Sequence, residues 1–345
     1  MDARWAALAA QVGDSTRSGR WLILTHDNPD PDAIASAVLL ARLLRQEFGQ
    51  SATIGYGGLI GRAENRELVA ELKVRLSPLR QLSFRSFQRF ALVDAQPGTG
   101  NNQMPDDIVP ELVFDHHPLR PATAKVPFAD IRPEYGATVT LLAEYLETCG
   151  LGVPSRIATG VVYALRSETQ EFGREYSPPD KALYDRLFGL VDRGSLARIQ
   201  NARLPLTYFK NLHDALENLY SVDTLVVSHL GEVEQPDIVP EIADLLLRLE
   251  GKTWSLSTGV FKDRLYLSIR TTNPRADAGT LMRRLVGRRG KGGGHGMLAG
   301  GWIALERAPG GDARALQTVL GRRLARALRK KAERLTPLQL GDRTP

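Results

Sequence analysis

The sequence predicts an α/β protein: a parallel sheet with helices on both faces, followed by a smaller α/β domain. Short β-rich runs alternate with helical patterns up to residue 190, which is typical of parallel sheets. A helical stretch then continues without a strand pattern to residue 220, and a second β-rich unit follows it. We therefore predict a first domain over 1–190, a helical linker over 191–220 and a second domain over 221–335.

In the first predicted domain, helical patterns follow the β-rich runs. WLILT precedes AIASAVLLARLLRQEF, SATIGY precedes ENRELVAELKV, and FALVD and ELVFD precede GATVTLLAEYLETCG and SRIATGVVYALRSE. His26, Asp94 and Asp115 each stand at or just beyond the carboxyl end of an apolar run. Because ligands of open parallel sheets bind at the carboxyl ends of the strands, we expect these three side chains to converge on one edge.

The second predicted domain combines strands and helices. TLVVSHL predicts a strand and PDIVPEIADLLLRLEG a helix, and TWSLSTGVF and RLYLSIRTT are two strands joined at Lys262 and Asp263, the pattern of a hairpin. The helix DAGTLMRRLVG, the glycine segment KGGGHG, the strand AGGWIAL and a basic helix complete the domain. His213 and His229 stand alone in periodic segments, so we assign structural roles to them.

The composition limits the classes of function. The chain is 43% hydrophobic and 24% charged, and no window approaches the ~18 to 20 apolar residues that a membrane span requires. The amino-terminal segment lacks the apolar core of a secretory leader, which predicts a cytoplasmic protein without a membrane partner. Cys149 is the only cysteine, which excludes an internal disulfide and a multi-cysteine zinc site. Any metal must therefore be bound by Asp, Glu and His.

The net charge of +6 is unevenly distributed. The basic surplus lies in the terminal helix predicted over 312–334 and in a second group, Arg283, Arg284, Arg288, Arg289 and Lys291. Basic patches of this kind suit a phosphorylated or nucleic-acid ligand. A solvated helix face explains the terminal helix equally well, because Leu324 and Leu328 give it an apolar side.

The stretch LTHDNPDPDAIASA gathers histidine and aspartate side chains directly after the first strand. One aspartate before a helix is explained as an N-cap, but His26, Asp30 and Asp32 together exceed that need. Asp94 ends another apolar strand, and the triplet DHH at 115–117 ends a third. Neighbouring histidines on an extended chain point in alternate directions, so one can bind a metal while the other faces the substrate.

A set of carboxylates and imidazoles without sulfur suits Mn²⁺, Mg²⁺ or Co²⁺ better than structural zinc. Two such cations ~3.5 to 4 Å apart, bridged by one carboxylate, would lower the pKa of a shared water and hold a phosphate for in-line attack. The three strand ends together therefore predict a two-metal phosphoesterase site.

These motifs resemble those of the DHH phosphoesterase superfamily, in the subfamily with a C-terminal DHHA1 domain. HDNPDPDAIAS, the lone Asp94, FDHHP and the distant GGGH carry the resemblance, which extends in the expected order from about Arg20 to about Leu305. The sequence is most similar to the oligoribonuclease/pAp phosphatases (nanoRNases). The single-strand recombination exonuclease and the exopolyphosphatases are more distant.

The resemblance implies a role for each residue of the metal site. His26 and Asp30 would bind one ion, Asp32 and His116 would bind the other, and Asp94 would bridge both. The family pattern leaves no ligand role for the remaining aspartate of the loop, which we assign to the loop or the surface.

Three further residues of the first domain have implied roles. Asp115 would orient an imidazole, and His117 would contact the substrate phosphate. Glu168, in ALRSETQEFG, occupies the position of a further metal-binding aspartate of the family. It would bind the ion directly or through water. The alternative is that it only ends a helix, where a carboxylate is electrostatically unfavourable.

In the second domain the resemblance implies a substrate-binding role. Gly293, Gly294 and His295 of GGGH would approach a phosphate, since glycine lets backbone amides come close to an anion. Arg270 in LSIRTT resembles the family's phosphate-binding arginine, and a guanidinium matches phosphate bidentately.

The resemblance implies hydrolysis of short oligoribonucleotides, with 3′-phosphoadenosine 5′-phosphate (pAp) as a second substrate, by attack of a metal-bridged hydroxide. Mn²⁺ is the expected cation, with Mg²⁺ or Co²⁺ as alternatives. Hydrolysis of polyphosphate, cyclic dinucleotides or single-stranded DNA stays open, as does a nucleotide-binding protein that hydrolyses nothing. The sequence leaves the oligomeric state, a homodimer included, undecided.

Overall fold

The computed structural model describes residues 2–13, 19–173, 176–308 and 312–338. The side chains of Asp2 and His295 lie outside this description. The chain divides into two compact units, Met1–Ala202 and Arg203–Pro345. Among the described residues, no helix combines the length and apolar character needed to cross a membrane.

The first unit contains a six-stranded sheet in which all strands are parallel, in the order β3-β2-β1-β4-β5-β6. Its strands are β1 (Trp21–Leu24), β2 (Ala52–Tyr56), β3 (Leu76–Pro78), β4 (Arg89–Val93), β5 (Leu112–Asp115) and β6 (Phe128–Ile131). Its helices are α1 (Asp2–Gly13), α2 (Pro31–Phe48), α3 (Ala63–Leu72), α4 (Thr138–Thr148), α5 (Ser155–Glu168), α6 (Pro178–Phe188) and α7 (Arg193–Gln200).

This sheet confirms the predicted fold class. The strand order reverses between β1 and β4, where Trp21 pairs with Ala52 on one side and with Arg89 on the other. Such a reversal leaves a crevice beyond the carboxyl ends of the two central strands, where ligands of doubly wound sheets bind. The edge strands β3 and β6 were not predicted, because one has three residues and the other carries Asp130 between apolar positions.

The two faces of the sheet are covered differently within the first unit. Trp21 and Ile23 of β1 join the core formed with helices α1 to α7. Leu22 and Leu24 point to the other face and pack against Leu79 and its neighbours in short 3-10 turns and loops. Helices were expected on both faces, but the loops that follow β3 contain only short 3-10 turns over 79–86, so in this unit the α-helices lie on one face.

The second unit contains a seven-stranded mixed sheet in the order β11-β12-β10-β9-β8-β7-β13. Its strands are β7 (Leu219–Val222), β8 (Leu225–Glu232), β9 (Trp254–Phe261), β10 (Arg264–Thr271), β11 (Gly290–His295), β12 (Leu298–Ala304) and β13 (Thr336–Pro337). Its helices are α8 (Leu206–Glu217), α9 (Ile238–Leu246), α10 (Ala278–Val286) and α11 (Ala313–Ala327).

In this second sheet only β8 and β9 pair in parallel. Helices α8 and α9 pack on one face and α10 and α11 on the other. The predicted hairpin of β9 and β10 is confirmed, and Lys262 turns it with a φ of 56°. The glycine segment was not predicted as a strand, yet it forms β11, which pairs antiparallel with β12.

The segment predicted as a linker, 191–220, is divided between the units. In α7, Ile199 is buried in the helical core of the first unit. In α8, Ala215 is buried against the second sheet. The strand β7 then begins at Leu219, within the stretch for which only helix was expected.

Candidate metal centre

Three neighbouring strands place the predicted ligands at one edge of the first sheet. His26 follows β1, Asp94 follows β4, and Asp115 is the last residue of β5. Because β1, β4 and β5 are adjacent and parallel, their carboxyl ends meet at the point where the strand order reverses. The predicted convergence of these side chains therefore follows from the topology.

Asp94 lies at the centre of this group. Its side chain is 2% exposed, and its backbone has a φ of 56°, a left-handed conformation that costs free energy in a residue with a Cβ. Its Oδ2 lies 3.5 Å from Nε2 of His26, and its Oδ1 lies 3.7 Å from Nε2 of His116. The two carboxylate oxygens thus face two different histidines, as in a bridging ligand.

The hydrogen bonds of the two histidines fix which nitrogen faces Asp94. Nδ1 of His26 lies 2.9 Å from the carbonyl oxygen of Asp27, and Nδ1 of His116 lies 3.1 Å from that of Tyr135. A carbonyl oxygen can only accept, so each Nδ1 carries a proton and donates. In the neutral ring, each Nε2 therefore presents a lone pair to the carboxylates.

This arrangement fits divalent cations. Among the described residues, Nε2 of His116 is buried without a hydrogen-bond partner. A lone pair that faces carboxylate oxygens is repelled unless a proton or a cation lies between them. One group of ligand atoms within 4.8 Å of one another comprises His26, Asp30 and Asp94, and a second comprises Asp94, His116 and His117. Nitrogen and oxygen donors of this kind suit Mn²⁺, Mg²⁺ or Co²⁺.

Asp30 and Asp32 each accept hydrogen bonds from the amino end of a helix, and each lies near a histidine. Asp30 caps α2 by accepting from the backbone N–H of Ala33 at 3.0 Å, and its Oδ2 lies 3.6 Å from Nε2 of His26. Asp32 lies 4.0 Å from Nε2 of His116. Its carboxylate also accepts from the first backbone N–H groups of α4, at 2.7 and 2.8 Å. Capping and metal binding are compatible in this loop, because each carboxylate oxygen has two lone pairs and can accept an N–H while it binds a cation.

The pKa values report the excess of negative charge at the site. Burial raises the pKa of Asp32 well above its usual range, and the charge of Asp94 raises it further. Burial lowers the pKa of His26, but Asp30 and Asp94 outweigh this and raise it well above its usual range. For Asp30 the effect of burial is outweighed by His26, so its pKa is lowered. A cluster that favours positive charge so strongly is suited to cations.

His117 and Asp115 form a pair beside the cluster. Nδ1 of His117 donates to Oδ1 of Asp115 at 2.8 Å, and Gln96 donates to Oδ2 of Asp115 at 2.6 Å. Burial lowers the pKa of His117, but Asp115 and then Asp94 raise it to about 10. The His117 side chain is 37% exposed, compared with 12% for His116. The two histidines differ in access to solvent, but they do not point in opposite directions as predicted: their ring centroids are 4.5 Å apart, and each has a nitrogen 3.7 Å from Oδ1 of Asp94.

Glu168 is the last residue of α5 and is half-buried. Its charge raises the pKa of both Asp32 and His117, so it lies near the cluster. Among the described residues, neither group of close ligand atoms includes it. The Oγ1 of Thr169 bonds the carbonyl of Leu165 and the N–H of Phe172, which fixes the end of the helix that carries Glu168.

Two residues that the sequence did not single out support the cluster. Thr138 donates its hydroxyl to Oδ1 of Asp94 at 2.8 Å and its backbone N–H to Asp32. Gln96 donates to Asp115 and to the carbonyl of His117 and accepts from the N–H of Arg120. In the sequence, these two residues are marked only by their positions: Thr138 ends the triplet GAT before a helical pattern, and Gln96 stands two residues after Asp94.

In the second unit, Arg270 is held by neighbours within that unit. Its Nε donates to Oδ1 of Asp244 at 2.8 Å, and its Nη1 donates to Oγ of Ser268 at 2.7 Å. The Arg270 side chain is 11% exposed. The guanidinium of the predicted phosphate-binding arginine is therefore fixed in orientation by an ion pair.

The two glycines predicted to contact a phosphate differ in their surroundings. A Cβ on Gly294, whose φ is 143°, would collide with the carbonyl oxygen of Leu298. A Cβ on Gly293 would meet nothing within 4 Å. Strand packing therefore requires glycine at 294, whereas 293 faces open space. The His295 side chain, also predicted for this contact, lies outside the described part of the structure.

The other two histidines have ordinary surroundings. Nδ1 of His229 lies 2.8 Å from Oγ1 of Thr258, and burial lowers the pKa of His229 to about 4. His213 is exposed and lies 3.4 Å from Glu217, one helical turn away. The surroundings of both are those expected of structural residues.

Comparison with known proteins identifies the families that the two parts of the chain match. Residues 20–188 match the model of the DHH family, N-terminal domain, and residues 223–320 match that of the DHHA1 domain. Over 286 residues the chain is 32% identical to an uncharacterized protein of Methanocaldococcus jannaschii. The alignment covers 82% of this chain and 58% of that protein, so the chain spans little more than half the length of this relative.

One solved structure shows the same fold over nearly the whole chain. An exopolyphosphatase-related protein from Bacteroides fragilis superposes with a TM-score of 0.72 at 14% identity, covering 94% of this chain and 96% of that one. RecJ from Thermus thermophilus, solved with Mg²⁺, is less similar, with a TM-score of 0.46 at 16% identity over 92% of this chain and 52% of its own. The two family matches occur in order and span most of the chain. The chain therefore belongs to the DHH family, with a DHHA1 domain after its DHH domain.

Proposed function

We propose that this chain hydrolyses phosphoester bonds in short nucleotides, with short oligoribonucleotides as the main substrate and pAp as a second. The observation that carries the proposal is the carboxylate of Asp94, whose two oxygens face the Nε2 atoms of His26 and His116. A carboxylate so placed suits a pair of divalent cations, and a paired site suits phosphoester hydrolysis. The match to the DHH domain supports phosphoester hydrolysis in general. The choice of short oligoribonucleotides and pAp as substrates is proposed here.

His26 and Asp30 would hold one cation, and Asp32 and His116 would hold the other. Asp94 would contact both cations. When bound, the cations activate the attacking water and neutralise charge on the phosphate. The Nδ1–H groups of His26 and His116, each bonded to a carbonyl oxygen, keep the two rings turned so that Nε2 faces the centre. Both hydrogen bonds are made within the chain.

Other residues of the first unit would act on the substrate or complete the metal shell. His117, oriented by its bond to Asp115, would donate to a phosphoryl oxygen in the transition state. Glu168 would complete the ligands of the cation at Asp32, whose pKa its charge already raises.

The second unit would contact a phosphate away from the reacting bond. Arg270 would bind it with a guanidinium whose orientation is set by Asp244. Gly293, Gly294 and His295 would supply further contacts; Gly293 has open space at its Cβ position, and Gly294 also serves the strand packing.

A panel of substrates tests the proposal. Purified protein with Mn²⁺ is assayed against dinucleotides, 5-mers, longer RNA, single-stranded DNA, pAp, cyclic dinucleotides and polyphosphate. We expect a steep preference for RNA of two to five nucleotides, with slower release of phosphate from pAp. Processive digestion of long strands, or a preference for polyphosphate or cyclic dinucleotides, would contradict the choice of substrate. Binding of short RNA without hydrolysis would contradict the enzymatic proposal as a whole.

Two matched substitutions test the role of Asp94. Asp94→Asn keeps the shape of the side chain but removes its charge, and we expect hydrolysis to fall below detection. Asp27→Asn makes the same change in the adjoining loop, and we expect it to retain activity. Wild-type rates in Asp94→Asn would rule out the two-metal mechanism, whereas equal losses in both variants would assign the effect to the loop.

A further inference from the structure

A pocket lies in the first unit, away from the metal centre. It is lined by the last turns of α2, the amino end of β2 and the first turn of α5, and it encloses about 480 Å³. The metal ligands follow the carboxyl ends of the strands, whereas Ala52 in this pocket begins β2. From Asp30 at the start of α2 to Arg45 near its end, the helix rises ~20 Å. The pocket is therefore separate from the metal site.

Three arginines line this pocket, which we call the arginine pocket: Arg42, Arg45 and Arg156. Among the described residues, no carboxylate lines it and none of the three arginines forms an ion pair. Nε of Arg42 is buried without a hydrogen-bond partner, while its Nη2 bonds the carbonyl oxygen of Gly152 at 2.8 Å. A buried donor without an acceptor costs free energy, and an anion would remove that cost.

Helix α5 adds a second electrostatic feature to the same pocket. Its N-cap, Pro154, provides no side-chain hydrogen bond, so the positive end of the helix dipole is not compensated by a capping side chain. Arg156 places a further positive charge in this first turn, where a cation is unfavourable. Helix amino termini bind phosphate through backbone N–H groups and the dipole. The arginines and the helix end thus favour the same kind of ligand.

Much of the rest of the pocket is apolar. Its remaining wall comprises Val38, Ala41, Ala52, Ile54, Val74 and Ile157. The exposed side chains of Gln46 and Ser51 stand at its rim and can donate or accept hydrogen bonds. A pocket of this volume suits a ligand of small-molecule size that combines an apolar ring with an anionic group.

We propose that the arginine pocket binds a nucleoside monophosphate, with its phosphate at the arginines and its base against the apolar wall. Inorganic phosphate shares the anionic group but lacks the ring, so it should bind more weakly. Adenosine shares the ring but lacks the anion, so it should not bind detectably. The proposal does not depend on the substrate of the metal centre, because the two sites share no residue.

Calorimetric titration of the full chain with AMP, in EDTA to keep cations out of the metal centre, tests this proposal. The exposed pair Arg45→Gln/Arg156→Gln should weaken AMP binding at least ~10-fold, since each lost charge-assisted hydrogen bond is worth more than a neutral one. Arg85→Gln removes an exposed arginine outside the pocket and should bind AMP as the wild type does. Arg42→Gln serves as a second pocket variant, with thermal unfolding as the check of its fold.

Each outcome decides the proposal. Wild-type AMP affinity in a correctly folded Arg45→Gln/Arg156→Gln protein would place binding elsewhere and overturn it. Absence of AMP binding to the wild type at millimolar concentration would also overturn it. Equal affinity for phosphate and AMP would overturn the assignment of the base to the apolar wall. A loss of binding in Arg85→Gln as large as in the pocket variant would show a general effect of charge and contradict a built site.

Discussion

The metal centre of the first unit and the predicted phosphate-binding residues of the second unit are organised in different ways. In the metal centre, three carboxylates, of which Asp32 and Asp94 are buried, face imidazole nitrogens at 3.5 to 4.0 Å, and the site favours positive charge. In the second unit, Arg270 already has a carboxylate partner, and Gly294 is required by strand packing. The metal centre is thus suited to a ligand that the chain does not supply. In the second unit, by contrast, the guanidinium of Arg270 is already paired with a carboxylate of the same unit.

This difference indicates where a change of sequence matters most. Carboxylates that are buried together repel one another unless cations lie between them. The stability of the metal centre therefore depends on the bound ions. The guanidinium of Arg270 is neutralised by Asp244, so a substrate phosphate would have to share it. We therefore expect substitutions around Asp94 to affect metal binding and turnover, and substitutions around Arg270 to affect mainly substrate affinity.

Among residues that support the ligands without binding metal, the largest effect is expected at Thr138. Thr138→Val keeps the backbone N–H that Asp32 accepts but removes the hydroxyl that donates to Asp94. Loss of such a supporting bond weakens metal binding by ~10- to 100-fold, which a Mn²⁺ titration of activity would measure. Thr159→Val is the matched control, since the Thr159 hydroxyl donates to the carbonyl of Ser155 and accepts from the N–H of Asp192, and neither is a predicted metal ligand. Equal Mn²⁺ requirements in the two variants would contradict a role for Thr138 in holding Asp94.

A smaller effect, on stability, is expected from the glycines of β11. Gly294→Ala forces a Cβ into the carbonyl of Leu298, and we expect a loss of about 2 kcal/mol in the free energy of unfolding. Gly293→Ala, with open space at its Cβ, should unfold like the wild type and raise KM if this glycine approaches the substrate. Urea unfolding and steady-state kinetics measure the two quantities. Equal stability of the two variants would contradict the packing role of Gly294.

The smallest effect is expected from a conservative change at Arg270. Arg270→Lys keeps the positive charge but loses the planar group that can bond Asp244 and a phosphate together. We expect KM for a dinucleotide to rise ~10-fold while kcat stays near the wild-type value, as loss of uniform binding predicts. A fall in kcat with KM unchanged would place Arg270 in the transition state instead.

The sequence predicted the fold class and the convergence of the strand ends because both depend on local patterns. Apolar runs marked β1, β4 and β5, and parallel topology then brought His26 and Asp94 to one edge. The role of Thr138 could not be predicted in the same way. It depends on the amino end of α4 lying beside Asp32, which is 106 residues away in the chain. No local pattern carries that information.

The strand β11 shows a second case in which the local sequence did not predict the structure. A run of three glycines has low strand propensity and was expected as an irregular segment. In the structure it pairs with β12, whose own glycines, such as Gly301, let the two backbones and α10 approach closely. The pairing is therefore imposed by tertiary packing and not by the intrinsic preference of the residues.

The most direct test of the two-metal centre is anomalous diffraction from crystals grown with Mn²⁺. We predict two peaks on opposite sides of the Asp94 carboxylate, one beside Nε2 of His26 and one beside Nε2 of His116. The same map would show whether Glu168 contacts the second ion directly or through water. A single peak, or two peaks that do not share Asp94, would contradict the bridging role on which the proposed mechanism depends.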